Sequence, residues 1–299
     1  MLKASEIAYA KVNLFLGITE KRSDGFHGIS TVMHSLSLSD RLSVRIERSA
    51  LPEIRLSVTP KCGIPEDERN LVWKAAKAYL DYVGCCLSLD ITLEKTIPSE
   101  AGLGGGSSDA AATLRMLDRA LGYALPTHEL SAIAEKLGSD VPFCLYGGTA
   151  LCTGRGERIV RIPEAPHLYA VICKGSESVS TPKAYGALDR MFCDFSDPTL
   201  LPPQSAEKMA AHCRSGNADA IARTLYNVFE DAVYPACPEA KKQKETLLAL
   251  GADGALLSGS GSAVFGLFPD FTMAKLAAEK IGGLAFAIES APESIRYDV

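Results

Sequence analysis

A run of small residues in the first half of the chain has the composition of an anion-binding loop. Residues 102–108 are Gly-Leu-Gly-Gly-Gly-Ser-Ser, and an alanine-rich helical segment follows them directly. Glycines let a ligand approach the backbone amides closely. The N-terminus of a helix presents unpaired N–H groups and a partial positive charge. The run therefore predicts a phosphate-binding loop, and the alternative is a flexible turn with a serine as helix cap.

The run does not fit the familiar loop classes. A Walker A loop ends in Gly-Lys-Ser or Gly-Lys-Thr, and the chain contains no Gly-Lys pair. A dinucleotide-binding fingerprint that starts at Gly102 needs a glycine or alanine where Ser107 stands. The sequence also lacks a Gly-x-Ser-x-Gly nucleophile elbow. The prediction of phosphate binding thus depends on the physical properties of the run itself.

Two charged residues have both a structural and a catalytic interpretation. Lys11 lies in an apolar strand beside Asn13, where a lysine is usually solvated at an edge or snorkels to the surface. Asp140 follows a Gly-Ser turn and precedes Val-Pro-Phe, a position that suits a helix N-cap. A carboxylate is also a common general base toward a hydroxyl group. The local pattern alone favours the cap for Asp140.

Two turns contain small or aromatic residues. The turn at 24–27 places Phe26 beside His27, and an exposed aromatic ring there could stack on a nucleobase. The serine-glycine loop at 258–262 lies between two predicted strands. Glycine and serine form hairpin turns readily, so a hairpin is favoured over a loop that closes on a ligand.

Strands and helices must position these residues. Apolar residues with a period of two predict strands within 7–19, 42–46, 54–58 and 87–93. Asn70 fits the N-cap of a following helix. A second helix follows the glycine run and ends at Gly122, and a third covers 127–137.

The second half of the chain has a different pattern. It predicts strands at 168–174, 254–257, 262–268 and 284–289, and helices at 181–191, 205–214, 218–231, 239–250 and 271–281. Without the inserted helices this is the β-α-β-β-α-β order of a ferredoxin-like unit. The 299-residue length suggests two domains. The Pro/Gly-rich patches at 147–156 and 163–166 place the join between domains 1–160 and 161–299, and the fold class is α+β.

Composition limits the classes of partner. The chain has 31 Lys and Arg against 36 Asp and Glu, a net charge of −5, so nucleic acids and anionic membranes are unexpected partners. Apolar residues make up 47%, which is enough to build a core and argues against intrinsic disorder. No stretch has the ~18 apolar residues of a membrane span. The five histidines do not have zinc-site spacing.

The cysteine pattern points to a reducing compartment. Nine cysteines in a long chain, without a Cys-x-x-Cys pair, are expected to be reduced core residues rather than a disulfide framework. The first 21 residues carry charged residues throughout and do not have a signal-peptide pattern. These features predict a cytoplasmic protein.

Five segments, in this order along the chain, resemble the GHMP kinase superfamily: AKVNLFLGITEKRSDGFH (10–27), IPSEAGLGGGSSDAA (97–111), GSDVPFCLYGGTALCTGRGE (138–157), STPKAY (180–185) and LLSGSGSAVFG (256–266). Within that superfamily, AKVNLFL together with DGFH resembles the kinases that phosphorylate a cytidyl-diphosphate derivative of methylerythritol for isoprenoid biosynthesis. The resemblance implies a two-domain GHMP fold, with a mixed α/β N-terminal domain and a ferredoxin-like C-terminal domain.

The resemblance also implies an activity and a set of roles. The activity is transfer of the γ-phosphate of ATP to the 2-hydroxyl of the cytidyl substrate, with Mg²⁺ bridging phosphate oxygens. Asp140 is implied as the general base and Lys11 as its partner. The implied nucleotide-binding residues are Asn70, Leu71, Gly102, Gly104, Gly105, Gly106, Ser107 and Ser108. The implied substrate-binding residues are Asn13, Phe26, His27, Thr181 and Tyr185, and the resemblance implies that Phe26 and His27 hold the cytosine while Tyr185 stacks on its other face.

Some expectations remain open at this point. The family more often has Tyr where Phe26 stands, Pro where Tyr9 stands and Ala where Ser139 stands, so a hydroxyl contact to the cytidyl group is lost at Phe26. The protein ligands of Mg²⁺ are unassigned, with Ser108 as a candidate. The alternatives are a mevalonate or homoserine kinase and a non-catalytic nucleotide sensor. The expected partners are ATP and the small-molecule acceptor, in a monomer or weak homodimer.

Overall fold

The computed structural model describes residues 1–61, 63–122, 125–191 and 205–291. In chain order the elements are β1 (Leu2–Lys21), β2 (His27–Arg48), β3 (Glu53–Thr59), α1 (Leu71–Val83), β4 (Leu87–Glu94), α2 (Gly105–Leu121), α3 (Thr127–Leu137), α4 (Val141–Tyr146), β5 (Thr149–Gly154), β6 (Arg158–Arg161), β7 (Tyr169–Cys173), α5 (Thr181–Met191), α6 (Ala206–Arg214), α7 (Ala218–Arg223), β8 (Tyr226–Asn227), α8 (Glu230–Val233), α9 (Pro238–Ala249), β9 (Gly254–Leu257), β10 (Val264–Phe268), α10 (Phe271–Ile281) and β11 (Ala285–Glu289).

The first sheet is organised around the long antiparallel hairpin of β1 and β2. β2 also pairs with β4 and β5, β3 lies parallel to β4, and β6 pairs with β5. At the opposite edge β8 pairs in parallel with β1. Helices α1 and α2 contribute their apolar faces to the core of this half, where Tyr79, Leu114 and Phe143 are fully buried. The predicted helices after Asn70 and after the glycine run are confirmed.

The second sheet has the strand order β11-β7-β10-β9, and every pairing is antiparallel. Helices α5 to α9 lie in the chain between β7 and β9, and α10 connects β10 to β11. The predicted β-α-β-β-α-β order is therefore confirmed, with the extra helices inserted after its first strand.

A buried apolar cluster joins the two sheets. It combines Leu14 and Val32 of the hairpin with Ile172 and Phe265 of the second sheet. Leu36 of β2 also forms an isolated antiparallel bridge with Ser290. The halves thus share core residues. The residue-160 boundary stays a prediction.

The predicted helix at 218–231 is wrong. α7 ends at Arg223, the chain then forms β8, and a single turn of helix follows in α8. The hydroxyl of Thr224 donates to the carbonyl of Ala220 at the end of α7. Tyr226 and Asn227 pair with the β1 backbone at Phe15 and Leu16, so sheet pairing overrides local helix propensity here.

Within the described residues, no helix combines the length and apolar character that a bilayer crossing requires. Seven cysteines lie in the described ranges, and all seven are free thiols. Five are buried, as predicted, but Cys86 is exposed and Cys85 is half-buried. The remaining two, Cys62 and Cys193, lie outside the described residues.

Candidate active site

The predicted site residues meet in one cleft of about 950 Å³. The cleft is lined by the β1–β2 hairpin, the glycine run before α2, the N-terminal ends of α1, α4 and α5, and the loop between β9 and β10. The predicted residues that line it are Lys11, Asn13, Phe26, His27, Asn70, Leu71, Gly102, Gly104, Gly105, Gly106, Ser107, Asp140, Thr181 and Tyr185.

The glycine run forms an uncapped helix N-terminus. α2 begins at Gly105, within the run, and its N-cap is Gly104 with φ of 70°, a conformation that favours glycine. No side chain caps the helix, so neither serine has the capping role that was the alternative. The N–H groups of the first turn have no partner within the helix. This end of the cleft can therefore bind an anion through backbone donors.

Ser108 lies apart from the other loop residues. Its side chain is 2% exposed, and its hydroxyl donates to the carbonyl of Gly105 at 2.9 Å. Ser107 is half-buried and lines the cleft. Of the two serines, Ser107 is thus the one placed to contact a ligand.

Close backbone packing explains two of the glycines. A Cβ on Gly102 would lie 1.8 Å from the carbonyl oxygen of Ser258, and one on Gly104 would lie 2.8 Å from Cγ of Lys11. Both residues have positive φ, which L side chains rarely adopt. The glycine run thus lets Lys11 approach the phosphate loop closely. It also admits the serine-glycine loop at 258–262, which we call the second glycine loop.

The loop at 258–262 is a hairpin connection, as predicted, and it also packs against the phosphate loop. The hydroxyl of Ser258 donates to the carbonyl of Gly102 at 3.0 Å. From the other side, the amide of Asn227 donates to the carbonyls of Leu257 and Gly259, both at 2.8 Å. The two interpretations of this loop are therefore compatible, because the hairpin turn itself lines the cleft.

Lys11 and Asp140 form an ion pair at the centre of the cleft. Nζ of Lys11 lies 3.2 Å from Oδ2 of Asp140, and the side chains are 5% and 30% exposed. Lys11 is thus neither at a solvated edge nor snorkelling. Asp140 precedes α4 but makes no side-chain capping bond, so the favoured cap interpretation is wrong. Its carboxylate instead faces the lysine and remains accessible from the cleft.

Asn13 and the strand backbone fix Lys11. Oδ1 of Asn13 accepts from Nζ at 2.9 Å, and Nδ2 donates to the hydroxyl of Thr31 at 2.8 Å. The backbone N–H of Lys11 donates to the carbonyl of Leu103, which ties β1 to the phosphate loop. Lys11 and Asn13 are two residues apart on a strand, so both side chains face the cleft. Register shifts in the ladder with β2 occur on either side of this pair.

A buried charge network lies beside the phosphate loop. Nζ of Lys95 contacts carboxylates of Asp40 and Asp109, the latter at 2.8 Å, and all three side chains are less than 8% exposed. Asp40 also accepts from two backbone N–H groups, those of Thr96 and Ile97. Burial, opposed by the charge of Lys95, raises the pKa of Asp109 to about 7. Two signals could have indicated the network: Lys95 directly follows a strand with alternating apolar residues, and Asp109 interrupts an alanine-rich helix.

Aromatic rings and charged groups occupy the other end of the cleft. The ring of Phe26 is half-exposed, with the guanidinium of Arg155 4.9 Å from its centroid. His27 stacks on Tyr185 at 4.8 Å and 28°. Burial raises the pKa of Tyr185 to about 12, so its hydroxyl stays neutral. A ligand ring can thus stack on exposed Phe26 but cannot enter between His27 and Tyr185 in this conformation.

Sequence reasoning missed Asp189, which also contacts His27. Oδ1 of Asp189 lies 2.7 Å from Nε2 of His27, and Oδ2 lies 2.7 Å from Nζ of Lys21. The hydrogen bond from Lys21 lowers the pKa of Asp189, so its carboxyl is ionised. The spacing of four residues from Tyr185 was a usable signal, because it puts both residues on one face of α5.

The remaining predicted residues lie between these ends. Asn70 caps α1 by accepting from the N–H of Val72 at 2.9 Å and donates to the carbonyl of Pro65 at 2.7 Å. Leu71 lines the cleft beside Gly106. The hydroxyl of Thr181 lies 2.9 Å from that of Ser260 in the second glycine loop.

Across the described ranges, no group of three or more His, Cys, Asp and Glu side chains is placed to hold a metal ion.

Comparison with known proteins identifies the family. The family model described as GHMP kinases N terminal domain matches residues 70–148, and the one described as GHMP kinases C terminal matches residues 207–285. A 4-diphosphocytidyl-2-C-methyl-D-erythritol kinase of Listeria innocua is 41% identical over 274 residues, covering 92% of this chain and 90% of the relative. The enzyme of that name from Bacillus cereus is 40% identical over 261 residues, covering 87% and 86%.

Solved structures agree with this assignment. A crystal structure of 4-(cytidine 5'-diphospho)-2C-methyl-D-erythritol kinase superposes with a TM-score of 0.78 at 34% identity, covering 96% of this chain and 99% of that one. Homoserine kinase from Cytophaga hutchinsonii shares the fold, with a TM-score of 0.70 at 22% identity, covering 97% and 95%. The chain therefore belongs to the GHMP kinases and, among them, to the family of the 4-diphosphocytidyl-2-C-methyl-D-erythritol kinases.

Proposed function

We propose that the chain transfers the γ-phosphate of ATP to the 2-hydroxyl of 4-diphosphocytidyl-2-C-methyl-D-erythritol, giving the 2-phosphate and ADP. The observation that carries this proposal is the ion pair between Lys11 and Asp140, which lies in the same cleft as the uncapped N-terminus of α2. A hydroxyl acceptor at Asp140 and a phosphate donor at the glycine run would meet in that space. The relatives at 40–41% identity support the choice of acceptor.

Positioning and electrostatics supply most of the catalysis in phosphoryl transfer. The N–H groups of the first turn of α2 would bind the phosphates of ATP. Asp140 would accept the proton of the 2-hydroxyl as its oxygen attacks the γ-phosphorus. The bond from that phosphorus to its bridging oxygen then breaks, and ADP leaves. Lys11, held by Asn13, would orient the carboxylate and the acceptor oxygen.

Mg²⁺ is part of this proposal as a partner of ATP. It prefers oxygen ligands and commonly uses substrate phosphates, water and one or two carboxylates instead of an all-protein cage. That preference suits a cleft whose described residues form no cluster of metal ligands. The hydroxyl of Ser108 is engaged by the carbonyl of Gly105, so Ser108 would have to rotate to reach the ion. When bound, the ion would neutralise charge that develops on the phosphate oxygens.

The acceptor half of the cleft suits the cytidyl group. Phe26 offers an exposed ring for a base, and His27 and Tyr185 form the adjoining wall. Asn70 and Leu71, at the phosphate-loop side, are the proposed contacts for adenine. The cytoplasm is the proposed location because the described cysteines are free thiols, and we propose a monomer or weak homodimer.

One experiment separates this function from its rivals. ATP consumption is measured with the cytidyl acceptor, R-mevalonate, L-homoserine and no acceptor. Turnover with the cytidyl acceptor alone is expected. Turnover with mevalonate or homoserine would select a different GHMP kinase, and nucleotide binding without turnover on any acceptor would indicate a sensor. At 22% identity, the homoserine kinase supports only a shared fold and is no argument for homoserine as the acceptor of this chain.

A further inference from the structure

Three elements meet at the nucleobase end of the cleft, and Asp189 connects them. Lys21 is the last residue of β1 and His27 the first of β2, and the two face each other in the hairpin register. Asp189 lies in α5 and places one carboxylate oxygen on each of them, at 2.7 Å in both cases. This carboxylate thus fastens α5 to the end of the hairpin, beside the exposed ring of Phe26.

The same helix makes a second contact to the same ring. Tyr185 precedes Asp189 by four residues, so the two side chains project from one face of α5. Tyr185 stacks on His27, while Asp189 contacts its Nε2 in the ring plane. Tyr185 is itself supported edge-on by Phe229 at 4.9 Å and 84°. A flip of the ring about the Cβ–Cγ bond would preserve the stacking but exchange the positions of Nε2 and Cε1, and the bond from Nε2 to Asp189 favours the observed orientation.

The carboxylate also determines which ring nitrogen carries a proton. Asp189 is ionised and can only accept, so Nε2 of His27 must be the donor. A histidine whose one nitrogen is fixed by a carboxylate has a defined tautomer and orientation. The side chain of His27 is only 7% exposed, so water competes weakly for this bond.

We propose that Asp189 is a positioning residue for nucleobase recognition, an inference that rests on the proposed function. It holds the His27 ring in one orientation with Nε2 protonated, and so fixes the wall against which a cytosine ring binds beside Phe26. Asp189 acts through His27 and does not take part in phosphoryl transfer. Its loss should therefore weaken cytidyl binding without changing ATP binding or the chemical step.

The test compares Asp189→Ala, Asp189→Asn and the matched control Lys21→Met. The control removes the other partner of the carboxylate and keeps the bond to His27. Binding of CDP is measured by calorimetry, and kcat and both KM values by ATP consumption. Without the carboxylate, the His27 ring must be ordered when CDP binds, and this cost predicts about fivefold to tenfold weakening of CDP binding for Asp189→Ala. The amide oxygen of Asp189→Asn can still accept from Nε2–H, so a smaller loss is expected.

Lys21→Met should change CDP affinity by less than about threefold, since exposed ion pairs contribute little. The acceptor KM of Asp189→Ala should rise in parallel with the CDP Kd, while kcat and the ATP KM stay within about twofold. Equal losses for ATP and CDP would indicate a general structural role and overturn the proposal. An Asp189→Ala affinity for CDP within about threefold of the parent would overturn it as well.

A spectroscopic measurement tests the tautomer independently of turnover. In ¹⁵N-histidine-labelled protein, the ring-nitrogen resonances of His27 should show the proton on Nε2. Asp189→Ala should give a mixture of tautomers, and an unchanged Nε2–H signal would refute the positioning role. A parent protein that binds CDP but does not phosphorylate the cytidyl acceptor would refute the proposed function alone. The calorimetry and the tautomer signal would then still decide the role of Asp189.

Discussion

Replacing Gly102 by alanine should separate the two glycine loops, and Gly122→Ala is the matched control. Both glycines flank α2 and have nearly the same φ, 72° and 69°. An alanine with positive φ costs about 1–2 kcal/mol of the free energy of unfolding. The stabilisation that alanine gives by restricting the unfolded chain is common to both variants. A Cβ on Gly122 meets nothing within 4 Å, whereas one on Gly102 lies 1.8 Å from the carbonyl oxygen of Ser258.

The overlap between the added Cβ at residue 102 and the Ser258 backbone therefore sets the difference in stability between the two variants. Relieving an overlap with backbone costs about 1–3 kcal/mol. Moving the loops apart also loses the bond from the Ser258 hydroxyl to the Gly102 carbonyl, which contributes about 1 kcal/mol. We expect Gly102→Ala to lower the free energy of unfolding by about 2–4 kcal/mol more than Gly122→Ala. Urea unfolding of the two variants side by side measures this difference.

The same substitution should impair activity. A 1 Å displacement of the phosphate loop can cost about 10²-fold in turnover, because the phosphates and the acceptor are no longer in line. Gly122→Ala lies at the far end of α2 and should retain near-parent kcat. If the two variants unfold within about 0.5 kcal/mol of each other and turn over equally, the packing of the two glycine loops has no energetic role.

Three further outcomes are expected. Asp140→Asn should leave the Kd for ATP unchanged and lower kcat by about 10²–10⁴-fold, and a kcat within tenfold of the parent would remove its role as general base. Phe26→Ala should raise the KM for the cytidyl acceptor and not for ATP; equal effects on both would place Phe26 outside the cytosine site. Burial lowers the pKa of His34 to about 4, so its stabilising contribution is complete above its unfolded pKa of about 6.5 and is lost as the pH falls toward 4. Stability should thus decline in that window by up to about 1.4 kcal/mol per pH unit, and His34→Gln should remove this part of the slope.

Local patterns predicted the parts of the fold that depend on local interactions. The capping side chain of Asn70 and the helix end at Gly122 follow from neighbouring residues, and both are present. The start of α2 within the glycines was not predicted, because the serines looked like better caps than Gly104. Sheet pairing with β1 determined β8, and no local signal in 218–231 indicates that partner.

In the candidate site too, local motifs indicated some of the residues, but the contacts between them depend on tertiary packing. The cleft residues that motifs indicated, such as Lys11 and Asp140, are adjacent in space, although nothing in the spacing alone required their ion pair. The Asp40–Lys95 contact depends on the register of β2 against β4. The contact between Asp189 and His27 joins residues 162 positions apart, through the docking of a helix onto a hairpin. Such contacts follow from tertiary packing, which composition and periodicity do not specify.

The strand β1 limits where the chain can tolerate insertions and deletions. It carries Lys11 and Asn13 into the cleft, and four residues after Lys11 its backbone pairs with β8, whose Asn227 holds the second glycine loop. Side chains alternate faces along a strand, so one inserted or deleted residue between Lys11 and Phe15 would turn the lysine away from the aspartate or shift the β8 pairing. Conservative apolar substitutions of the buried Val12 and Leu14 should be tolerated better than insertions or deletions, and length variation should be confined to exposed turns such as 50–52.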